Sequence, residues 1–147
     1  GFEQVVAVDA SAAALEVARH NAARCRIRIE LIRADFGSSL AEGVFDAVVS
    51  NPPYLSEAEY DGLDPSVRSF EPRLALESGA DGLRATRAVV ADAARGLRPG
   101  GWLALEIDAT RGDESACLAR AAGLAGVTIH QDLFGRERFL LAQRSEK

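Results

Sequence analysis

The 147-residue sequence predicts an α/β fold whose sheet is mostly parallel and covered by helices on both faces. Short apolar runs rich in Val, Ile and Leu alternate along the chain with stretches of helical length and periodicity. In addition, three of these runs end at or near a polar side chain, at Asp9, Asp35 and Asn51. In such sheets ligands bind beyond the carboxyl ends of the strands. The sequence therefore places its candidate site at that edge.

The first elements follow from the spacing of apolar residues. "EQVVAVDAS" predicts a buried strand that ends at Asp9, and Ser11 is the predicted N-cap of the helix that follows. "IRIELIRAD" alternates and is rich in Ile, which predicts a second strand ending near Asp35. "GVFDAVVS" predicts a third strand. One face of the first helix is formed by Leu15, Ala18 and Ala22.

The second half begins with a stretch rich in Gly and Pro. Residues 55–80 are expected to be irregular with a short hairpin, because they contain Gly62, Pro65, Pro72 and Gly79. "DGLRATRAVVADAARGL" then predicts a helix capped by Asp81, and "RPGG" predicts the helix stop and a tight turn. The remaining predicted elements are a strand "WLALEI", a helix "ESACLARAAGL", and an antiparallel pair, "VTIHQDL" and "RFLLAQR", joined around Gly135.

Composition excludes several classes of function. The net charge of −5 and pI near 5.1 argue against a broad basic surface for nucleic acid or membranes, and no run approaches the ~18 apolar residues of a membrane span. Cys25 and Cys117 lack a C-x-x-C partner, so neither a disulfide nor a zinc site is predicted. Both are expected to be small buried residues in a reducing compartment. His20 and His130 are isolated, and no metal site is predicted.

The two acidic strand ends are candidate nucleotide-binding positions. A carboxylate at Asp9 can accept both hydroxyls of a ribose, although an acid at a helix start also complements the helix dipole. Asp35 and Phe36 offer a polar group and an aromatic face for a purine. The alternative is a strand terminus whose Phe36 folds into the core.

The stretch Asn51-Pro52-Pro53-Tyr54 is the candidate catalytic loop. Two consecutive prolines remove two donors and stiffen the chain, so the loop presents carbonyl groups beside the Asn51 amide. The Asn51 side-chain oxygen and the Pro52 carbonyl can each accept one hydrogen from an amide or amine nitrogen, while Tyr54 stacks on the planar group. A rigid turn without a ligand is the alternative.

Several motifs together resemble the release-factor glutamine methyltransferases of the HemK/PrmC family, over nearly the whole chain. They are "VVAVDAS", "RADF", "FDAVVSNPPY", "FEPRLALESGADGL", "LRPGGWLALEI" and "GRERFLLAQR". The resemblance implies a Rossmann-like class I fold, S-adenosylmethionine as cofactor, and methylation of a glutamine side-chain amide in a peptide chain release factor. It also implies that Asp9 holds the ribose, Phe36 packs on the adenine, and residues 51–54 bind the glutamine. "NPPY" alone is shared with adenine-amino methyltransferases.

Two departures from the family pattern affect the expectations. The chain reads "EIDATRGD" from Glu106, which leaves the roles of Glu106, Asp108 and Arg111 open. A glycine-rich turn is expected ~20 residues before the ribose acid, and only eight residues precede Asp9. The first strand, its glycine loop and an N-terminal recognition domain are therefore predicted to lie outside this sequence. The 147 residues alone, as the C-terminal part of a catalytic domain, are expected to be inactive.

The leading hypothesis is thus a cytoplasmic protein-glutamine methyltransferase, monomeric at full length, with a release factor as partner and no membrane or DNA binding. In the same chemistry, the alternative is methylation of an exocyclic amine, adenine N6, in nucleic acid. From a different class, the chain is an inactive remnant or a binding module. Glu71 and Arg73 in "FEPR" either touch substrate or brace the loop, and bracing is the favoured reading.

Overall fold

The computed structural model describes residues 2–36 and 40–146, and these ranges contain six strands and six helices. The chain divides into two compact units, Gly1–Leu40 and Ala41–Lys147.

The first unit is a β-α-β arrangement with a parallel pair of strands. It consists of β1 (Val6–Asp9), α1 (Ala12–Cys25) and β2 (Glu30–Arg33), and Asp9 pairs with Arg33 at the end of the ladder. The predicted end of β1 at Asp9 is confirmed. The predicted cap is confirmed too, because the Ser11 hydroxyl accepts a hydrogen bond from the Ala14 N–H at 3.2 Å.

The second unit is built on a four-stranded sheet of order β3-β4-β6-β5. Its strands are β3 (Phe45–Ser50), β4 (Leu97–Glu106), β5 (Leu124–Gln131) and β6 (Glu137–Arg144). Strand β3 pairs in parallel with β4, whereas β6 pairs antiparallel with both β4 and β5. The predicted C-terminal antiparallel pair is therefore confirmed. Gly135 lies between its strands with φ +77°. The core of the sheet contains Leu103, Leu105, Leu140 and Ala142, all fully or almost fully buried.

The prediction of an irregular stretch with a hairpin at residues 55–80 is wrong. Three short helices occupy it: α2 (Glu57–Asp61), α3 (Pro65–Phe70) and α4 (Arg73–Leu76). The prolines do not break these helices, because Pro65 stands at the first helical position and Pro72 precedes α4, where a missing N–H costs nothing.

The long helix α5 (Arg84–Gly96) begins later than predicted, and Asp81 does not cap it. Asp81 instead accepts the Leu83 N–H and pairs with Arg87, whose hydrogen bond lowers the pKa of Asp81 to about 2. The Ser78 hydroxyl, completely buried, accepts the Ala85 N–H at 2.8 Å and so satisfies one of the amides at the helix start.

The predicted helix stop at "RPGG" is confirmed, since α5 ends at Gly96, whereas the tight turn predicted for these residues is different in the structure. Strand β4 begins at Leu97, directly after α5, and "RPGG" forms a bulge within the strand. Pairing passes from Phe45↔Leu97 to Ala47↔Trp102, so β4 carries extra residues opposite β3. Gly101 fits in the bulge because a Cβ there would lie 2.9 Å from the Phe45 carbonyl oxygen.

The last helix, α6 (Gly112–Ala121), follows β4 and confirms the predicted helix in this region. The prediction that both cysteines are buried is wrong. Cys25 and Cys117 are free and exposed, because α1 and α6 turn these positions away from their packed faces. Across the described ranges, no helix combines the length and apolar character needed to cross a membrane.

Candidate active site

The first unit positions Asp9 at the carboxyl end of β1. The side chain is exposed, and its Oδ1 accepts the Ser11 N–H at 2.7 Å. This bond fixes the carboxylate beside the start of α1, because Ser11 is also the helix cap. Within residues 2–36, Oδ2 accepts no hydrogen bond. One carboxylate oxygen is therefore structural, and the other remains available for a hydroxyl donor.

Asp35 and Phe36 lie on the neighbouring strand end of the same unit. Strand β2 ends at Arg33, and the Ala34 N–H donates to the Asp9 carbonyl at 3.2 Å, which continues the parallel pairing beyond the strand. Asp35 is exposed and Phe36 is half-buried. Phe36 has φ +56°, a left-handed conformation that is uncommon for an aromatic residue. The structure thus brings Asp9, Asp35 and Phe36 to one edge of the β1-β2 pair.

In the second unit, the loop Asn51–Tyr54 leaves the carboxyl end of β3. Asn51 is exposed, Pro52 is buried, and Pro53 and Tyr54 are half-buried. Within residues 40–146, neither the Asn51 side-chain oxygen nor the Pro52 carbonyl accepts a hydrogen bond. Two neighbouring acceptors on a stiff backbone are therefore available to a ligand that carries N–H groups.

The exit of this loop is fixed by a segment about twenty residues later in the chain. The Leu55 N–H donates to the Leu76 carbonyl at 2.9 Å, and the Ser78 N–H donates to the Leu55 carbonyl at 2.7 Å. These bonds form an isolated parallel bridge between Leu55 and Glu77. The next contact is the Glu57 N–H to the Gly79 carbonyl at 3.1 Å. The "LESG" part of the "FEPRLALESGADGL" motif therefore serves as the backbone partner of the NPPY loop.

Arg111, the residue before α6, joins three segments around the loop. Its Nε donates to the Asp81 carbonyl at 2.9 Å, and one terminal nitrogen donates to Glu59 Oε2 at 2.7 Å. The other terminal nitrogen lies 3.2 Å from Asp108 Oδ1. The side chain is only 14% exposed. The segments of α2, the α5 entrance and the β4 exit are thus held by a single guanidinium.

Glu59 also closes a capping box at the start of α2. The Ser56 N–H and the Ser56 hydroxyl both donate to Glu59 Oε2 at 2.7 Å, and the Glu59 N–H returns to the Ser56 hydroxyl. The Ser56 backbone N–H, more than any other group, holds the pKa of Glu59 below its usual value, with help from the Ser56 hydroxyl and Arg111. Glu59 is therefore a charged acceptor shared between helix capping and Arg111.

Gly82 allows these segments to approach each other. It has φ +73°, and a Cβ added there would lie 2.6 Å from the Tyr54 carbonyl oxygen and 2.9 Å from Arg111 Nε. No residue with a side chain can occupy that position without displacing backbone.

Residues left open by the sequence have contacts in the structure. The Arg73 guanidinium lies 5.0 Å from the centre of the buried Tyr60 ring, and its Nε lies 3.5 Å from Glu77 Oε2. Arg73 thus contacts both α2 and the bridge segment, which supports its bracing role. Glu71 is exposed and its N–H closes α3. Glu106 Oε1 lies 3.6 Å from Arg138 Nη1 and forms an ion pair with it.

The predicted cofactor-binding residues and the predicted substrate-binding loop lie in different units. Asp9, Asp35 and Phe36 belong to the first and residues 51–54 to the second. Sequence reasoning missed Glu59 and Gly82 as supports of the loop, although the S-x-x-E spacing of Ser56 and Glu59 is itself a capping-box signal. Over the described residues, no group of three or more His, Cys, Asp or Glu could hold a metal ion.

Comparisons with known proteins agree with the motifs. Residues 2–63 match the family model of the methyltransferase small domain. The chain is 47% identical over 140 residues to a release factor glutamine methyltransferase of Cereibacter sphaeroides, covering 94% of this chain and 50% of the relative. It is 43% identical over 145 residues to the protein of that name from Nitratidesulfovibrio vulgaris, covering 95% of this chain and 49% of the relative. The chain therefore spans about half the length of these relatives.

A solved structure shows the same architecture at lower sequence identity. The crystal structure of a methyltransferase from Pyrococcus furiosus superposes with a TM-score of 0.69 at 20% identity, covering 97% of this chain and 63% of that one. The predicted Rossmann-like class I methyltransferase fold is thereby confirmed. With identities above 40% to proteins of one name along nearly all of its residues, this stretch of sequence is similar to the release factor glutamine methyltransferases.

Proposed function

We propose that the protein containing this chain transfers a methyl group from S-adenosylmethionine to the side-chain amide nitrogen of a glutamine in a peptide chain release factor. The observation that carries the proposal is the pair of open acceptors, Asn51 Oδ1 and the Pro52 carbonyl, on a loop whose exit is held by backbone pairing. The printed names of the relatives supply the release factor as substrate.

The first unit has the donor and acceptor chemistry that this cofactor requires. Asp9 offers a carboxylate oxygen without an internal donor, which suits the two hydroxyls of a ribose. Phe36, half-buried at the next strand end, offers a ring face for the adenine, and Asp35 adds a polar group beside it. The bound cofactor supplies an electrophilic methyl group. Asp9, Asp35 and Phe36 are the residues of this unit that we assign to holding it, and the assignment of Asn51 to the cofactor rests on the sequence alone.

The second unit holds the nucleophile. The amide nitrogen donates one hydrogen to Asn51 Oδ1 and the other to the Pro52 carbonyl, which orients its lone pair. Tyr54 stacks on the planar amide, and the buried Pro52 and half-buried Pro53 keep the loop stiff. As the nitrogen forms its bond to the methyl carbon, the methyl–sulfur bond would break, S-adenosylhomocysteine would leave, and the nitrogen would lose one proton to water. Before that loss its N–H groups become more acidic, and their bonds to the two acceptors strengthen. An interaction that strengthens in the transition state accelerates the chemical step.

The direct test is methyl transfer by the protein at its natural length. A release factor is incubated with the enzyme and isotopically labelled cofactor, and its peptides are analysed by mass spectrometry. We expect one glutamine to gain a methyl group on its side-chain nitrogen, and a release factor with Gln→Asn at that position to remain unlabelled. A DNA or RNA strand containing adenine is the parallel substrate. Label on adenine alone, or on neither substrate, would overturn the proposal.

We further propose that the protein works as a monomer in the cytoplasm, where release factors act. The two cysteines are free rather than joined, which is the state expected in a reducing compartment. Light scattering of the purified protein with its natural length tests the monomer. A stable dimer at micromolar concentration would contradict it.

A further inference from the structure

We propose that Arg111 is a positioning residue for methyl transfer, because its guanidinium sets the place of the NPPY loop relative to the carboxyl end of β4. The proposal rests on the proposed function of that loop. Within residues 40–146 Arg111 donates a hydrogen bond to neither Asn51 nor Pro52, so it acts through the segments that it joins.

The shape of the guanidinium explains why one side chain can join three segments. An arginine has five N–H donors in a planar fork, directed to different sides. In this structure Nε is used by the Asp81 carbonyl, one terminal nitrogen by Glu59, and the other by Asp108 and the Thr110 hydroxyl. A lysine ammonium is a point charge at the end of a flexible chain and cannot reproduce this fork.

Burial of the Arg111 side chain and the charges around it strengthen these contacts. The Arg111 side chain is 14% exposed, and the carboxylates of Glu59 and Asp108 balance its charge. Removal of the guanidinium leaves the Asp81 carbonyl without this donor. It also leaves the carboxylates of Glu59 and Asp108 without the cation that attracts both of them. Both effects favour separation of the segments.

The contacts lead to the NPPY loop by two short routes. The first route passes through Glu59 Oε2, which accepts hydrogen bonds from both Arg111 and the Ser56 N–H. Ser56 is two residues from Tyr54 in the chain. Through Asp81, Arg111 fixes the backbone next to Gly82, which lies against the Tyr54 carbonyl. Loosening either route allows Tyr54, and with it the acceptor pair, to shift. When a mutation far from the reacting atoms displaces a catalytic group by about 1 Å, the rate can fall roughly 100-fold.

The experiment compares Arg111→Ala and Arg111→Lys with Arg120→Ala in the protein at its natural length. Arg120 is an exposed arginine on α6, the helix that Arg111 precedes, so its removal changes the net charge equally. Three quantities are measured below the melting range of every variant: the kcat for glutamine methylation, the Kd for S-adenosylmethionine, and hydrogen exchange of residues 55–60.

For Arg111→Ala we expect kcat to fall roughly 10- to 100-fold, exchange at residues 55–60 to accelerate, and cofactor Kd to stay unchanged. Arg111→Lys should recover only part of kcat, and Arg120→Ala should match the parent in all three. Normal kcat in Arg111→Ala, or exchange identical to the parent, overturns the proposal. So does a loss of cofactor affinity in proportion to kcat, since that would indicate a general structural defect.

Glu59→Gln covers the case in which Arg111→Ala fails to fold. It keeps an oxygen for Ser56 but removes the charge that Arg111 binds, so we expect a smaller fall in kcat with the same acceleration of exchange. Normal kcat and exchange in Glu59→Gln would overturn the route through α2. If the parent protein methylates no glutamine, the proposed function fails, while the exchange experiment still decides whether Arg111 holds the segments together.

Discussion

The carbonyl oxygen of Tyr54 lies 2.6 Å from the position that a Cβ would occupy at Gly82. The loop Asn51–Tyr54 and the entrance of α5 are therefore in direct backbone contact, and Arg111 Nε lies close to the same point. Such an approach is possible only for glycine, so residue 82 links the stability of the unit to the geometry of the loop.

Gly82→Ala should destabilise the protein by more than Gly123→Ala. Both glycines have positive φ, +73° and +84°, which costs about 1–3 kcal/mol for a residue with a side chain. Only Gly82 adds a clash, because nothing lies within 4 Å of a Cβ at Gly123. Urea unfolding of both variants measures the difference. Equal losses would show that the Tyr54 carbonyl moves away at no cost.

Asn51→Ala should reduce turnover and leave cofactor binding unchanged. In the proposed mechanism the Asn51 oxygen bonds the nucleophile most strongly in the transition state, so its loss should cost roughly 10²–10³ in kcat, about 2.7–4 kcal/mol. Tyr54→Phe is the matched control within the loop, since it keeps the ring face and should cost far less. Single-turnover methylation of a release factor measures both. Near-normal turnover in Asn51→Ala would identify residues 51–54 as a turn only.

Asp9→Ala should raise the KM for S-adenosylmethionine more than it lowers kcat, because a ribose contact contributes to binding in ground and transition state alike. Ser11→Ala is the control: it removes the cap of α1, at about 0.5–2 kcal/mol of stability, and keeps the carboxylate. Steady-state kinetics and calorimetric titration with the cofactor distinguish the effect of Asp9→Ala from that of Ser11→Ala. Unchanged affinity in a folded Asp9→Ala protein would reduce Asp9 to a helix-start charge.

Acid should weaken the second unit through Glu59. Its pKa is lowered below the ordinary 4.5, chiefly by the Ser56 backbone N–H, so the folded state binds its proton less readily than the unfolded chain does. The charged Glu59 side chain therefore stabilises the folded state fully at pH values above the pKa of Glu59 in the unfolded chain, which is about 4.5. This stabilisation is lost as the pH falls from there through the lower pKa of Glu59 in the folded state. Glu59→Gln should therefore show a flatter dependence of unfolding free energy on pH than the parent.

The control for this pH dependence is Glu57→Gln, which removes an acid from the same first turn and leaves the capping box intact. Urea unfolding at a series of pH values gives the profiles. A Glu59→Gln profile parallel to that of the parent would contradict the assignment.

Strands and the N-cap of α1 could be predicted from sequence because their signals are local. Val-containing apolar runs define β1 and β3, and Ser11 precedes an amphipathic stretch. The errors arose where a distant partner decides the structure. The "RPGG" segment forms a bulge in β4 because Leu97 and Trp102, on either side of it, pair with β3. Ser78 completes the start of α5 from seven residues away. Pro65 was read as a breaker although it begins α3.

The candidate site shows the same division. Asp9, Phe36 and Asn51 could be selected from their positions after apolar runs, because strand ends carry the ligand sites of this fold. Arg111 could not be selected, since the two partners through which it reaches the loop, Asp81 and Glu59, are 30 and 52 residues distant and no periodic pattern connects them. Supports of this kind depend on three-dimensional proximity alone.

The parallel bridge between Leu55 and Glu77 has a consequence for how this protein can change in evolution. The bridge holds together the two ends of an excursion that contains α2, α3 and α4, so the excursion closes a loop on a fixed base. Because the entropy of closing a loop rises only by about 0.6 kcal/mol for each doubling of its length, residues can be gained or lost at its outer turn at little cost. An engineered insertion within this excursion should therefore be tolerated while residues 51–55 keep their geometry.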